Sequence, residues 1–303
     1  MAKNLQLGII GHPLGHTLSP ILHQFLMENL NIKGEYIAYD TPPDKLKEMI
    51  LYLKTLGVRG VNVTVPHKVN AITSVNEVDA VAERVGAVNT LVFEHTGKKP
   101  GVYGYNTDVP GFLKGIPPHR LVAFEQARVL ILGGGGAARA VMMALLQYNA
   151  AGITLCARNE SQVVSVMNAA KLAKRQLKAP TKLAWVRLDK LQDLSMFDWV
   201  INATPVGMNE SVMVEGKIEQ KSSSPLPEAL LNKLPENAFV YDLIYRPAET
   251  KLLTMAKARG LETQNGLDML MHQGVLSFEL WSGKTVPLSL LVPLRKVLSS
   301  ALR

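Results

Sequence analysis

Residues 129–140 read VLILGGGGAARA, and no other stretch constrains the fold as strongly. Val129–Leu132 is β-branched and apolar, the pattern of a strand buried on both faces. Four glycines follow, then good helix formers from Ala137 to Tyr148 with apolar residues at Val141, Ala144, Leu145 and Tyr148. Gly133, Gly135 and Ala138 match the spacing G-x-G-x-x-G/A. In that spacing the first glycine permits a tight turn, the second lets backbone approach a pyrophosphate, and the small third residue lets helix meet strand. The free amides of the helix start then face the anion. Such a unit normally opens a chain. Here about 130 residues precede it, so the first half is expected to hold whatever the nucleotide acts on.

The next strand discriminates between dinucleotides. Ile153–Ala157 ends about 20 residues beyond the glycines, where an NAD site presents an acid to the ribose. This chain presents Arg158 and Asn159, which suit a 2′-phosphate. Glu160 is the contrary sign. NADP is expected, with NAD as the lesser alternative. Lys171, Lys174, Arg175 and Lys178 on the following predicted helix are a solvated face that would add a favourable field.

The remaining chain reads as α/β throughout. Strands are predicted at Leu5–Ile10, Tyr36–Tyr39 and Gly60–Val65, with a hairpin from Val88–Phe93 and Tyr103–Tyr105. Helices are predicted from Ser19, as N-cap before Pro20, to Asn29, over Asp44–Leu56 and over Asp79–Val85. Residues 114–127, with glycine and two prolines, read as a linker, and 215–231 as a surface loop. The tail from Gly266 is helical, with Leu267, Leu270, Met271 and Gly274 on one face, and a further helix follows Pro287. The expected organisation is a substrate-binding and catalytic α/β domain over 1–110, a Rossmann-type domain over 111–265, and C-terminal helices over 266–303 returning to the first.

Bulk properties exclude several classes. Of 303 residues, 47% are hydrophobic and 19% charged, ordinary for a globular protein. No apolar run is long enough for a bilayer, and the N-terminus lacks signal-peptide architecture. The charge of +8 is scattered and aromatics are 6%, so nucleic-acid binding is not expected. Cys156 is the single cysteine, so no internal disulfide forms, and a cytoplasmic home follows. No metal site is expected.

Chemistry-bearing residues lie in the first half. Lys68 follows the proline-cut strand Asn62–Val65 and Asp108 ends Gly104-Tyr105-Asn106-Thr107-Asp108, both on loops at strand ends. Taken singly, each has an ordinary reading, a solvated lysine and a turn aspartate. In GHPLGHTLSP (11–20), Thr17 and Ser19 place two hydroxyls beside a helix start, a neutral trap for a carboxylate; His16 reads as a loop histidine.

Eight ordered motifs together resemble the shikimate/quinate dehydrogenase family: GHPLGHTLSPILH, NVTVPHK, GAVNT, GYNTDVPG, GGGGAARA, NATPVGM, DLIYRPAET and GLDMLMHQ. The resemblance runs nearly end to end. It implies NADP-dependent oxidoreduction of a ring CH–OH group, 3-dehydroshikimate to shikimate, in aromatic amino-acid biosynthesis, by a monomer or homodimer. The alternative it leaves open is a dual-specificity quinate enzyme using NAD. By position it implies Lys68 and Asp108 as the catalytic pair and Thr17 and Ser19 at the substrate carboxylate. Asn62, Thr64, Asn89, Tyr245 and Gln273 would surround the substrate. Gly133, Gly135, Gly136, Ala137, Arg139, Arg158, Asn159, Thr204, Met208 and Gly266 would meet the cofactor. Three departures stand out: Thr17 replaces the usual serine, Ala157-Arg158-Asn159 replaces Asn-Arg-Thr, and Gln162 stands where many relatives carry a second basic residue.

Overall fold

The computed structural model describes residues 4–15, 17–96, 99–208, 210–214, 217–221 and 223–302; His16 lies outside them. The chain divides into two compact units, one of residues 1–115 with 271–301, the other of residues 116–270.

Strands of the first unit are β1 (Leu5–Gly11), β2 (Gly34–Asp40), β3 (Gly60–Val63), β4 (Glu77–Val78), β5 (Thr90–Glu94) and β6 (Gly101–Tyr105). They form one mixed sheet in the order β2-β1-β3-β5-β6-β4. β1 runs parallel to β2 and β3, whereas β5 is antiparallel to both β3 and β6. Helices α1 (Ser19–Asn29), α2 (Leu46–Thr55), α3 (Ala80–Val85) and α4 (Asp108–Gly115) belong to it. Ile10, Val61, Val63, Leu91 and Phe93 form its core with Ile50 and Leu53 of α2. Fully burying each such side chain contributes about 1.5–3 kcal/mol.

The second unit begins with α5 (Pro118–Leu121) and continues through β7 (Arg128–Leu132), α6 (Gly136–Gln147), β8 (Gly152–Ala157), α7 (Glu160–Leu177), β9 (Lys182–Arg187) and β10 (Trp199–Asn202). After β11 (Glu210–Val214) and β12 (Lys217–Lys221) come α8 (Glu228–Leu231), β13 (Phe239–Asp242), α9 (Lys251–Ala258) and β14 (Glu262–Asn265). Its main sheet is wholly parallel, in the order β14-β13-β10-β7-β8-β9. β10 and β13 are buried at every residue, apolar over three positions and ending in the buried polar residues Asn202 and Asp242. α10 (Leu267–Ser282) starts in this unit and from Met271 belongs to the first, as does α11 (Leu291–Ser300).

Two expectations are corrected. Residues 114–127 are not an open linker but helical turns held by Phe124, which is fully buried with its ring 4.6 Å from that of Trp199. One anchored aromatic outweighs the local glycine and proline signal. The stretch 215–231 is not simply a loop: Glu210–Val214 and Lys217–Lys221 pair as an antiparallel hairpin, and Glu228–Leu231 is helical. Glu215, Gly216 and Ser222 lie outside the described residues.

Candidate active site and cofactor site

The mixed sheet of the first unit explains its site. β3 ends at Val63 and leads to Lys68; antiparallel β5 starts at Thr90, opposite Asn62, directly after Asn89; β6 ends at Tyr105, opposite Thr90, and leads to Asp108. Alternating strand direction therefore delivers three loops to one sheet edge. Lys68 Nζ donates to Asp108 Oδ2 at 2.6 Å, with the aspartate side chain buried and the lysine 16% exposed. The Lys68 carbonyl accepts from Val88 N–H at 2.8 Å, which fixes its backbone. Beside it, the buried His67 ring bonds through Nε2 to the Thr41 carbonyl at 2.7 Å. Asp108 is the first residue of α4, where the helix dipole favours a carboxylate.

Asn89 is the hub. Its Nδ2 donates to Asp108 Oδ1 (2.9 Å), Thr107 Oγ1 (2.8 Å) and Gln273 Oε1 (3.2 Å), and its Oδ1 accepts from Thr107 N–H (2.7 Å). Gln273 comes this close because α4 carries Gly111: a Cβ there would stand 2.6 Å from Gln273 Cβ and 2.8 Å from its backbone nitrogen. Backbone of a helix cannot yield cheaply. Gly111→Ala is therefore expected to push α10 away, lowering kcat/KM at least about tenfold through lost placement. Steady-state kinetics checks this, and wild-type values would refute the close-approach argument.

Thr17 and Ser19 lie as a pair, with their hydroxyl oxygens 3.2 Å apart and the Ser19 N–H 3.2 Å from Thr17 Oγ1. Ser19 is not the N-cap expected from sequence. The helix starts at Ser19 itself, the cap position is Leu18 without a side-chain bond, and Pro20 sits in the first turn. The Ser19 hydroxyl therefore bonds to Thr17 and not to helix amides. The loop they occupy leaves β1 beside β3, where Thr64 N–H bonds to Ile10 O and His12 N–H to Val65 O. The half-buried Thr64 hydroxyl has no hydrogen bond among the described residues. It is thus available to a ligand.

Asn62 differs from expectation. Its Oδ1 accepts from Tyr36 Oη (2.7 Å) and lies 3.3 Å from His23 Nε2. Its Nδ2 faces Ser277 Oγ (3.0 Å), Asn89 O (3.3 Å) and Thr90 Oγ1 (3.3 Å). Both ends of the amide are engaged, so Asn62 holds the sheet to α10 and has no open ligand. Sequence reasoning missed this supporting layer of His23, Thr90, Thr107 and Ser277. His23, Thr90 and Thr107 lie inside motifs already singled out, and Ser277 stands one helical turn after Gln273. Those were the available signals.

Two buried titratable groups give the units opposite acid responses. Burial holds the His23 imidazole at about 3, with only the Asn62 bond opposing. Below its ordinary 6.5 the unfolded chain takes a proton that the buried ring refuses. Stability of the first unit therefore falls as pH drops from about 6.5 toward 3, by up to about 1.4 kcal/mol per pH unit. In the second unit burial pushes the Asp242 carboxyl up to about 6, against bonds from Thr250, Ile244 and Asn202. Between its ordinary 3.8 and about 6 the folded state binds the proton better, so this contribution grows on acidification. Hydrogen exchange of strands β1 and β13, corrected for intrinsic rates, should show opposite trends from pH 7 to 4.5. A His23→Gln variant should lose the first trend and keep the second.

The second unit carries the glycine turn. Gly133 has φ +108°, a conformation side-chain-bearing residues avoid, and a Cβ there would lie 3.0 Å from Ala203 O. At Gly135 an added Cβ would meet nothing within 4 Å, so open space lies over the turn. α6 begins at Gly136 and Ala137 with no side-chain cap, leaving its start to an external partner. Arg158 is exposed and makes no hydrogen bond or ion pair among the described residues. These features fit a dinucleotide with an additional phosphate. Asn159 uses its Oδ1 to cap α7, accepting from Gln162 N–H at 3.2 Å. Arg139 lies deeper than the glycine spacing suggests: it is buried, which lowers its basicity, and its Nη2 donates to Ser165 Oγ at 2.6 Å. Thr204 bonds to Asn202 Oδ1 through both N–H (3.0 Å) and hydroxyl (2.7 Å), and the exposed Met208 pairs with Val206 in an isolated bridge. Gly266 is required by packing, since a Cβ would collide with the Leu243 carbonyl. Tyr245 is half-buried in this unit.

A mixed α/β unit with a part-buried lysine–aspartate pair, joined to a Rossmann-type parallel unit, defines a two-domain α/β protein of the dinucleotide-dependent oxidoreductase type. Comparison narrows the class. Residues 9–91 match the description "Shikimate dehydrogenase substrate binding domain", and residues 266–290 match "Shikimate 5'-dehydrogenase C-terminal domain". The chain is 38% identical to a shikimate dehydrogenase (NADP(+)) of Methanococcus maripaludis, over 93% of each chain. It is 36% identical to one of Bacillus cereus, over 92% of each. The solved shikimate 5-dehydrogenase of Thermus thermophilus, in complex with NADP(H) and shikimate, superposes with a TM-score of 0.77 at 33% identity, covering 98% of this chain and 99% of that one. The chain belongs to the shikimate dehydrogenase family. Among the described residues no helix is long and apolar enough to cross a membrane.

Proposed function

We propose that the protein reduces 3-dehydroshikimate to shikimate reversibly with NADPH, the first unit acting on the substrate and the second holding the cofactor. The observation that carries this is the part-buried Lys68–Asp108 pair at 2.6 Å, beside Asn89 and Gln273. Membership of the family supports the choice of substrate and cofactor. When bound, the nicotinamide supplies the hydride.

The chain's own residues do the rest. Thr17 and Ser19 bind the substrate carboxylate through two neutral donors. Thr64 and Gln273 hold ring hydroxyls. Lys68, as its ammonium, donates the proton to the ring oxygen as that oxygen gains charge, and takes it back in the reverse direction. Asp108 keeps Nζ aimed and compensates its charge, while Asn89 keeps Asp108 from rotating. Exposure of Lys68 at 16% leaves a path for reprotonation from solvent. Gly133, Gly135, Gly136 and Ala137 would receive the pyrophosphate and Arg158 the 2′-phosphate, with Thr204, Met208 and Gly266 toward the nicotinamide end.

The test is a matrix of steady-state rates with shikimate and quinate against NADP+ and NAD+. The expected result is dominant kcat/KM for shikimate with NADP+. Comparable values for quinate with NAD+ would instead mark a dual-specificity enzyme, and no turnover in any cell of the matrix would refute the reading. In the same assay Arg158→Ala should raise KM for NADP+ about tenfold or more and leave KM for NAD+ nearly unchanged.

A further inference from the structure

The 2′-phosphate of NADP is close to dianionic at neutral pH, and the loop after β8 offers it a single unpaired cation, Arg158. The neighbouring positions do not add one. Asn159 is engaged as the cap of α7, with Ser161 Oγ and Gln162 N–H both on its Oδ1 (2.7 and 3.2 Å). Glu160 is acidic. Gln162 is neutral and lies over the glycine turn, 3.2 Å at its Cβ from a Cβ built on Gly134. Lys171, Lys174, Arg175 and Lys178 start eleven residues up α7, about 16 Å along its axis.

The adjacent strand supplies the missing charge. β8 and β9 are parallel, and their register pairs Ala157 with Arg187, the last residue of each. Neighbouring strands lie about 4.8 Å apart, and residues in register face the same side of a sheet. Arg187 therefore ends its strand level with the residue that precedes Arg158. Its side chain is 54% exposed and held side-on by Asp189, through Nε (2.9 Å) and Nη2 (3.3 Å). That geometry orients the guanidinium and leaves Nη1 without a hydrogen bond among the described residues. The field of Glu160, at the start of α7, also reaches Arg187, after the larger effect of Asp189. Arg187 thus stands within electrostatic range of the segment that carries Arg158.

We propose that Arg187 is the second cation for the cofactor's 2′-phosphate, presented by Asp189 from the end of β9. The assignment rests on the NADP reading of the second unit. An exposed Arg–Asp pair is worth little in itself, so the guanidinium can exchange one carboxylate contact for a phosphate contact at small cost. Arginine suits the task because its planar fork binds two oxygens of one anion.

The test is direct binding to the full chain, by calorimetry, of NADP+, NAD+ and adenosine 2′,5′-bisphosphate, which carries the 2′-phosphate without the nicotinamide. Arg187→Ala is expected to weaken NADP+ and the bisphosphate about tenfold, to leave NAD+ unchanged, and to reduce the salt dependence of NADP+ binding. Arg187→Lys should recover part of the loss. If Arg158→Ala weakens NADP+ selectively while Arg187→Ala does not, the proposal is overturned and the NADP reading stands. Equal losses for NAD+ and NADP+ in Arg187→Ala would also overturn it, since they mark a structural role. A wild-type chain that binds NAD+ as tightly as NADP+ overturns both.

Discussion

Lys68→Ala is expected to lower kcat by about two to four orders of magnitude, the usual worth of a positioned acid–base group. The side chain is the cation bonded to Asp108, at 2.6 Å, and in the proposed reaction it is the proton donor to the ring oxygen. Binding of NADPH, measured by its fluorescence, should be unchanged, because the glycine turn and Arg158 belong to the other unit. The variant remains folded in this expectation: Asp108 keeps the Asn89 bond at 2.9 Å and its place at the start of α4. Leaving the Asp108 carboxylate without this partner costs about 1–3 kcal/mol of stability, which a urea midpoint will register. Lys68→Arg retains charge, but a guanidinium does not give up its proton, so it should restore stability without restoring turnover. Wild-type turnover in either variant removes Lys68 from the mechanism.

Asn89→Ala should be nearly as damaging for a different reason. One carboxamide serves Asp108, Thr107 and Gln273 with its nitrogen and the Thr107 N–H with its oxygen, all in a buried setting. Removing it strands several polar groups, each costing about 1–3 kcal/mol if water does not replace the bond. A loss near 3 kcal/mol is expected, together with at least a hundredfold fall in kcat/KM as Asp108 and Gln273 lose their common tie. Measured well below the variant's midpoint temperature, the two effects separate. A destabilised variant with full activity would make Asn89 a structural residue only.

How much of this was legible in the chain depends on the range of the interaction. The glycine turn, β7 and α6 were read within a residue or two, because strand, turn and helix are each set by local sequence. Lys68 and Asp108 stand out in sequence as residues on loops at strand ends, but only the ordered motifs pair them and add Asn89 and Gln273, since a lone lysine or aspartate has an ordinary reading as well. Phe124 shows the opposite case. A buried aromatic turned an expected linker into part of a core, and nothing within 114–127 announces Trp199 as its partner. Ser19 was misread because Ser-Pro is a strong capping signal, whereas its hydroxyl finds a closer partner in Thr17.

Sequence alone therefore determined the alternating α/β order, the nucleotide-type turn, the family and the residue types available for acid–base work. These follow from periodicity and from short motifs, whose physics acts over a few residues. Only the tertiary structure decided which of them meet. Antiparallel β5, in a sheet otherwise led by parallel strands, brings Lys68, Asn89 and Asp108 to one edge. Gly111 lets Gln273 join them, and parallel register sets Arg187 beside Ala157. Strand order, direction and register are fixed by burying apolar faces across long separations, and that information is spread over the whole chain.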